Sequence, residues 1–558
     1  MNAPSRDDGL YFLPLGGAGE IGMNFNLLGY GPPARPKWLA IDCGVTFGDD
    51  TTPGVELIMA DPAFIETRRE DLLGLVLTHA HEDHIGAVPY LWPRLRCPVY
   101  ATPFTAALVK EKLVEAKLAD EVPLTVVPLK GRISLPPFAV ELVTLTHSIP
   151  EPNALAVHTP LGTVVHTGDW KIDPDPLVGE VTDEAYLRSL GDAGVLAVIC
   201  DSTNVFVPGE AGSEADVRES LTELIGKLNA RVAVTAFASN VARLDSVARA
   251  AARHGRSVVL VGRSMRRIVE AAKACGYLQG LPRFLEEGEG TNLRPERALY
   301  LCTGSQGEPR AALARIAAGN HPNVTLEEGD AVIFSSRIIP GNERAIFALH
   351  NALVARGVSV ITAQDHFVHV SGHPCRDELA RMYQWLRPRI AVPVHGERRH
   401  LVEHVAFAKS LQIPETVLAP NGSLVRLAPG PAAVIDEAPS GRLYVTGNRL
   451  VPERDEALRE RRRIAYSGLV SATLVFGASG KLALSPRVML LGVPGREEEN
   501  LAADLADIAE EVVRRERGRA WGDDAFIAEM TRRALRKAVH ERIGLRPQVR
   551  VDVLRLSG

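Results

Sequence analysis

Leu75-Val76-Leu77-Thr78-His79-Ala80-His81-Glu82-Asp83-His84-Ile85-Gly86-Ala87 joins a short apolar run to four metal-capable side chains within six residues. From Leu72 to Leu77 the chain is branched and almost continuously apolar, as in a strand covered on both faces. The donors begin where that strand stops. Side chains alternate across extended backbone, so His79 and His81 point to one side, while Asp83 and His84 fall where a helix through Ile85–Tyr90 is expected to start. One loop can thus serve two neighbouring cations. Imidazole nitrogen suits zinc and other first-row metals, and the carboxylate adds an oxygen donor that also tolerates manganese. A lone His here would read as a solvated polar residue; three His and an Asp against a strand end would not.

Two ions need more donors than one loop holds, and further candidates stand at other strand ends. Trp38-Leu-Ala-Ile runs into Asp42, Val140–Thr146 into His147, and Ile390–Val394 into His395. The hairpin Ala154–His158 and Gly162–His166 leads to Asp169. Asp42 is costly to bury unless a cation or hydrogen-bond donor meets it, and it could orient the His loop from behind. His158 and His166 lie inside strands and read as structural histidines rather than ligands, though His166 could stand behind the ligands as a neighbour.

Working outward, the cluster Gly16-Gly-Ala-Gly-Glu-Ile-Gly22 lacks the following helix of a dinucleotide fingerprint and reads instead as a hairpin. From about Gly209 the pattern changes to alternating helix and strand through Thr362, the signature of a doubly wound parallel sheet. Turns after its strands, Phe237-Ala238-Ser239-Asn240, Val261–Ser264 and Gly304-Ser305-Gln306-Gly307, place amides and small polar residues at helix starts, where anions are favoured. Ordinary capping explains any one such turn as well. His366–His373 is a loop of small and ring-bearing polar residues before a helix from Asp377 to Leu386. Beyond Asp436 the chain is charged, with a basic run at Arg459–Arg463 that reads as a solvated helix face or a polyanion contact. Strands over Gly468–Val493, helices over Glu498–Arg517 and Asp524–Ile543, and a strand over Val549–Leu556 complete a small C-terminal α/β domain.

At 558 residues the chain is long enough for several packed cores. A net charge of -5 confines any nucleic-acid binding to a local positive groove. Six scattered cysteines without a CxxC read as reduced and buried, which with no signal-peptide core and no run of about 18 apolar residues implies a cytoplasmic protein free of membrane.

These residues together resemble the metallo-β-lactamase superfamily, through Asp42, the His79–His84 motif, His147, Asp169 and His395. Cys200-Asp201-Ser-Thr, Ser371-Gly-His373 and Pro393-Val-His395-Gly-Glu resemble the β-CASP nucleases. The Phe-Ala-Ser-Asn, Gly-Ser-Gln-Gly-Glu-Pro, Pro-Gly-Asn-Glu and His-Val-Ser-Gly-His stretches at 237, 304, 340 and 369 are most similar to the bacterial ribonuclease J family. The resemblance implies an α/β fold: a metallo-β-lactamase αββα sandwich (8–208 and 363–448) interrupted by a doubly wound β-CASP domain (209–362), a linker (449–466) and a C-terminal α/β domain (467–558). It implies that His79, His81 and His147 hold one metal, Asp83, His84 and His395 another, and that Asp169 bridges them, the ions being zinc, manganese or both. Asp201 would orient the water or a neighbouring His, and His373 would be a general acid or a phosphate hydrogen-bond donor.

The implied activity is two-metal hydrolysis of single-stranded RNA, 5′ to 3′ from a 5′-monophosphate and also internally, in rRNA processing and mRNA decay. The implied substrate site uses Phe237, Ala238, Ser239, Asn240, His369, Val370, Ser371, Gly372 and His373, with Ser305 or Arg263 as further anion contacts. A homodimer or tetramer and an RNA-degradation complex are the implied assemblies. The competing readings are a hydrolase of DNA or of a small ester, and an inactive RNA-binding subunit; the latter would have lost ligands, and none of the expected ones is missing.

Overall fold

A computed structural model describes residues 5, 7–49, 51–339, 341–494, 500–516 and 522–556. Pro340 of the Pro-Gly-Asn-Glu stretch, and Glu498 and Arg517 of the expected C-terminal helix, lie outside the described residues. The chain forms two compact units, one of Met1–Thr46 with Met59–Arg442 and one of Phe47–Ile58 with Leu443–Gly558.

Among the described residues, the first unit contains two facing sheets. One has eight strands in the order Ala433–Glu437, Ser423–Ala428, Gly9–Gly16, Phe25–Gly31, Lys37–Ile41, Leu72–Val76, Val99–Ala101 and Leu124–Val126. The other has seven, in the order Arg132–Leu135, Phe138–Thr144, Asn153–Thr159, Gly162–His166, Val195–Asp201, Ile390–Val394 and Glu415–Thr416. Leu10, Phe12, Leu28, Ile41 and Val76 from the first sheet meet Phe138, Val140, Leu155, Val157, Ile199 and Val392 from the second in a shared apolar core. The second sheet's other face is covered by helices Glu184–Ala193, Arg376–Leu386 and Arg398–Ser410, through Leu187, Met382, Trp385 and Phe407. This is the αββα layering expected, and it explains why both strand sets are apolar on each side.

The strands around the site run parallel and deliver their loops to one end. Lys37–Ile41 and Leu72–Val76 are parallel neighbours, as are Gly162–His166, Val195–Asp201 and Ile390–Val394. Asp42, His79, Asp169 and His395 follow the carboxyl ends of these strands, and Asp201 is the last residue of its own. The glycine cluster is a hairpin as expected, joining antiparallel strands Gly9–Gly16 and Phe25–Gly31. Within it, Ala18–Gly19 pairs in parallel with Gly396–Glu397, beside His395.

The interrupting segment forms a five-stranded parallel sheet in the order Ser257–Val261, Ala298–Cys302, Val232–Thr235, Ala331–Phe334, Ser359–Ile361. From Val232–Thr235 the chain crosses to one side, and from Ala331–Phe334 to the other. The crevice outside the carboxyl ends of these two central strands is therefore a switch point, the usual ligand position in an open α/β sheet. The turns Ala236–Asn240 and Ser335–Arg337 line it.

In the second unit, strands Arg487–Leu491, Leu469–Phe476 and Gln548–Arg555 form a sheet under helices Leu501–Arg515 and Asp524–Ile543, with Val470, Leu474, Leu505 and Leu535 in the core. The stretch 449–466 is not a linker. It holds strand Arg449–Pro452 and most of helix Glu456–Ser467, which Asp455 caps by accepting from the Ala457 N–H and which Leu458 anchors by burial. Its dense charge hid a single apolar anchor. No helix among the described residues is long and apolar enough to cross a membrane.

Candidate metal centre

The ligand atoms of His79, His81, His147 and Asp169 lie within 4.8 Å of one another, and so do those of Asp83, His84, Asp169 and His395. Asp169 belongs to both groups. Its Oδ2 is 3.1 Å from His84 Nε2, 3.4 Å from His395 Nε2 and 3.9 Å from His79 Nε2. Asp83 Oδ2 is 3.5 Å from His84 Nε2 and 3.8 Å from His395 Nε2. In the other group, His81 Nδ1 is 3.1 Å from His79 Nε2 and 3.0 Å from His147 Nε2.

What each imidazole does on its far side tests whether this cluster suits a cation. His84 Nδ1 is 2.8 Å from Asp42 Oδ2, and His395 Nδ1 donates to Asn24 Oδ1 at 2.9 Å. His147 Nδ1 donates to the Gly372 carbonyl, and His79 Nδ1 is 3.0 Å from Thr78 Oγ1. Thr78 Oγ1 donates to Asp42, so it accepts from His79. Four outer nitrogens are thus held as N–H donors, which leaves the inner nitrogens as lone pairs converging on the two groups. Lone pairs about 3 Å apart repel unless a proton or cation lies between them, so the donor set fits divalent metal. Burial, then His84 and His81, hold His79 far below the usual imidazole range. Burial outweighs Asp83 and Asp169 and puts His81 at about 4.

Asp42 is the keystone behind the loop. It is fully buried and left-handed at φ 61°, and it accepts from the Thr78 N–H at 2.8 Å as well as from Thr78 Oγ1 and His84. Its carboxylate is satisfied by three donors, which answers the burial cost seen from sequence.

Asp201 and His373 form a third cluster with His395. Asp201 is fully buried; its Oδ1 accepts from the Thr203 N–H and hydroxyl, and its Oδ2 is 2.8 Å from His373 Nδ1. Burial pulls His373 down, but Asp201 and then Asp169 outweigh it and lift the ring to about 9. The structure thus sets the Asp201 carboxylate directly against the His373 ring.

Around the substrate-side loops the outcome is mixed. Gly372 approaches His147 so closely that an added Cβ would lie 2.7 Å from the ring. Ser371 Oγ accepts from Asn204 Nδ2 at 2.7 Å and from the His373 N–H at 3.2 Å. His369 is largely enclosed, and its Nδ1 has no hydrogen-bond partner among the described residues. Val370, by contrast, is buried against Gly212. Phe237, Ala238 and Ser239 are half-buried at the switch-point turn. Asn240 is occupied within the fold, capping helix Val241–Arg253 through the Arg243 N–H and donating to Glu214. Ser305 is buried, and Arg263 opens helix Arg263–Ala274 with an exposed side chain. His158 faces Thr163 and Glu141, away from the cluster, and His166 accepts from the Gly168 N–H, so neither joins a donor group.

Comparison with known proteins accounts for nearly all of the chain. Residues 38–232 match the model described as metallo-beta-lactamase superfamily, 229–353 that of the ribonuclease J beta-CASP domain, 357–416 that of the Zn-dependent metallo-hydrolase RNA specificity domain, and 456–556 that of the ribonuclease J C-terminal domain. Ribonuclease J of Sinorhizobium meliloti is 45% identical over 558 residues, covering 99% of this chain and 98% of that protein. The chain belongs to the ribonuclease J family. Ribonuclease J of Corynebacterium glutamicum is 36% identical over 556 residues, covering 99% of this chain and 76% of its own. A crystal structure of a protein of unknown function from Enterococcus faecalis matches with a TM-score of 0.51 at 14% identity, covering 75% of this chain and 100% of that one, a likeness of fold alone. The zinc-dependent family match and the donor clusters together make divalent metal part of this ribonuclease J family member.

Sequence reasoning missed Asn24, Thr78, Thr203 and Asn204. Each is a common polar residue whose role depends on what folding sets opposite it, and only Thr78, inside the quoted loop, and Thr203, inside the Cys200-Asp201-Ser-Thr stretch, carried any local signal.

Proposed function

We propose that His79, His81 and His147 hold one divalent ion and Asp83, His84 and His395 a second, with Asp169 shared, zinc or manganese serving at both positions. The chain is a metal-dependent ribonuclease, acting on single-stranded RNA from 5′ to 3′ with a preference for a 5′-monophosphate end, and also cutting internally, in RNA maturation and decay. The observation that carries this reading is one carboxylate, Asp169, facing imidazoles of both donor groups through a single oxygen.

Bound divalent ions supply a water of lowered pKa and positive charge for the phosphoryl group. The remaining work falls to the chain's own side chains. Asp201 fixes His373 at Nδ1, so Nε2 holds the proton for the departing 3′ oxygen. Burial disfavours the charged ring, while Asp201 and then Asp169 favour it, so the two carboxylates help His373 keep that proton. Ser371 accepts twice at its oxygen, so its own hydroxyl proton is left for a phosphate oxygen. Ser239, His369, the Gly372 amide and Ser371 form the pocket for the 5′-terminal phosphate, while Phe237, Ala238 and Val370 contribute backbone. A pocket that holds the end fixes which bond reaches the metals, so nucleotides leave singly.

The match to an RNA specificity domain supports RNA over DNA, and buried free thiols at Cys43, Cys97, Cys200, Cys302 and Cys375 support a cytoplasmic setting. A homodimer or tetramer, able to join an RNA-degradation complex, completes the reading. The test is a side-by-side assay of 5′-monophosphate, 5′-triphosphate and 5′-hydroxyl RNA, single-stranded DNA and a thioester. Fastest end-degradation of the monophosphate RNA is expected. Equal rates on the three RNA ends would overturn the pocket, and faster cleavage of DNA or the thioester would overturn the substrate.

A further inference from the structure

The Gly304-Ser305-Gln306-Gly307 turn does not present a helix start to an anion, since the helix that follows, Ala312–Ala317, has only six residues. Instead the Gln306 carboxamide is buried and grips the next switch-point loop. Its Nε2 donates to the Arg337 carbonyl at 2.9 Å, and its Oε1 accepts from the Ile339 N–H at 2.9 Å and from Asn342 Nδ2 at 3.3 Å. Gly304 and Gly307 have φ of 116° and 75°, so glycine is what lets the turn place Gln306 there. The clamp fixes the backbone of an exposed arginine.

Arg337 Nη1 donates to Asn204 Oδ1 at 2.7 Å, and Asn204 Nδ2 in turn donates to Ser371 Oγ at 2.7 Å and to the His373 carbonyl at 2.9 Å. Asn204 is 2% exposed, with oxygen and amide both engaged. It therefore ties the arginine to the loop bearing both the phosphate-facing hydroxyl and the proton donor. After burial, the charges of Arg243, Arg337 and Lys171 hold the His369 ring far below the usual imidazole range, so all three lie within its electrostatic reach. Two are sealed. Arg243 is fully buried against Glu214, Ser335 and the Val368 carbonyl, and Lys171 is buried against Asp173 and the Gly212 carbonyl. Arg337 alone of the three is exposed, makes no ion pair among the described residues, and keeps N–H donors beyond the one given to Asn204.

We propose that Arg337 is the cation that reads the 5′-terminal phosphate monoester of the RNA, and that Asn204 is a positioning residue coupling that contact to His373. A dianionic monoester beside Ser371 would meet a planar donor fork already oriented by Asn204 and Gln306, which favours the terminal phosphate over a 5′-hydroxyl. The inference rests on the proposed end-first reading of the site and goes beyond it by naming the discriminating charge.

The test compares kcat and KM on 5′-monophosphate and 5′-hydroxyl RNA of one sequence for wild type, Arg337→Gln, Arg337→Lys and Asn204→Ala, with thermal unfolding of each as control. Wild-type preference for the monophosphate end checks the parent reading; without it, that reading fails first. Given that preference, Arg337→Gln is expected to reduce the ratio of kcat/KM for the two ends by about 10- to 100-fold, mainly through KM. Arg337→Lys is expected to restore part of it. Asn204→Ala is expected to lower kcat on both ends, which general loosening of the fold would not do at unchanged melting temperature. An Arg337→Gln enzyme that is folded, active and as selective as wild type would overturn the proposal. Inhibition by a nucleoside 5′-monophosphate gives a second reading: its inhibition constant should rise in Arg337→Gln, and an unchanged constant would contradict the assignment.

Discussion

Replacing Asp42 with Asn keeps the shape of the buried side chain and reverses one hydrogen bond. Asn tolerates the left-handed backbone at φ 61°, so the substitution adds little strain. The carboxylate accepts from the Thr78 N–H, from Thr78 Oγ1 and from His84 Nδ1. An amide has one oxygen for these three donors. With that oxygen toward Thr78, the NH2 faces His84 Nδ1, which must then become an acceptor and pass its proton to Nε2. That nitrogen points at Asp169 from 3.1 Å, where the proposed ion needs a lone pair. Loss of such a supporting contact weakens metal binding by about 10- to 100-fold, or about 1.4–2.7 kcal/mol. Competition against a chelating indicator measures the affinity, and activity at limiting and saturating metal shows whether excess ion compensates. Asp42→Asn enzyme with wild-type metal affinity and wild-type activity at limiting metal would refute the tautomer argument.

Three further outcomes are expected. His373→Ala should lower kcat on RNA by about 10²- to 10⁴-fold, while a nitrophenyl phosphodiester, whose leaving group needs no proton, loses far less; an equal loss on both would remove His373 as proton donor. His404 is buried between Ser202 Oγ at 2.8 Å and Tyr383 OH at 2.9 Å, and burial holds it at about 4 against 6.5 unfolded. The unfolded chain therefore takes up the proton first, so stability is complete above pH 6.5 and declines as pH falls toward 4, by about 3 kcal/mol from this group. Melting curves of His404→Gln should fall less steeply across that window, and parallel curves would contradict it. Stripping metal with a chelator should lower the melting temperature, by about 4 kcal/mol of stability relative to ion at 1,000 times its dissociation constant, with recovery on adding zinc or manganese; no shift would count against a folded-state site.

Sequence disclosed the donors because each sits where an apolar strand ends, and both features are local. His79, His81, Asp83 and His84 share one loop, and Asp42, His147, Asp169 and His395 each follow a recognisable strand. The doubly wound sheet was legible for the same reason, through regular alternation. Residues acting through tertiary pairing were not. Asn24 meets His395 across 371 positions, and Asn204 meets Ser371 and His373 across 167 and 169. Asn240, a motif position that suggested substrate, also caps a helix and donates to Glu214, and neither contact shows in the sequence. The Gly304 turn suggested an anion site from its amides, yet its work is done by Gln306 on a loop distant in sequence. Helix Glu456–Ser467 was legible only as a charged face at Arg459–Arg463, because one buried leucine gives no visible period among arginines.

The most direct measurement is anomalous diffraction from crystals of the whole chain loaded with manganese or zinc. Two peaks are expected on either side of Asp169, one ligated by His79, His81 and His147 and the other by Asp83, His84 and His395. A single peak, or ions held instead by Asp201 and His373, would contradict the two-ion assignment.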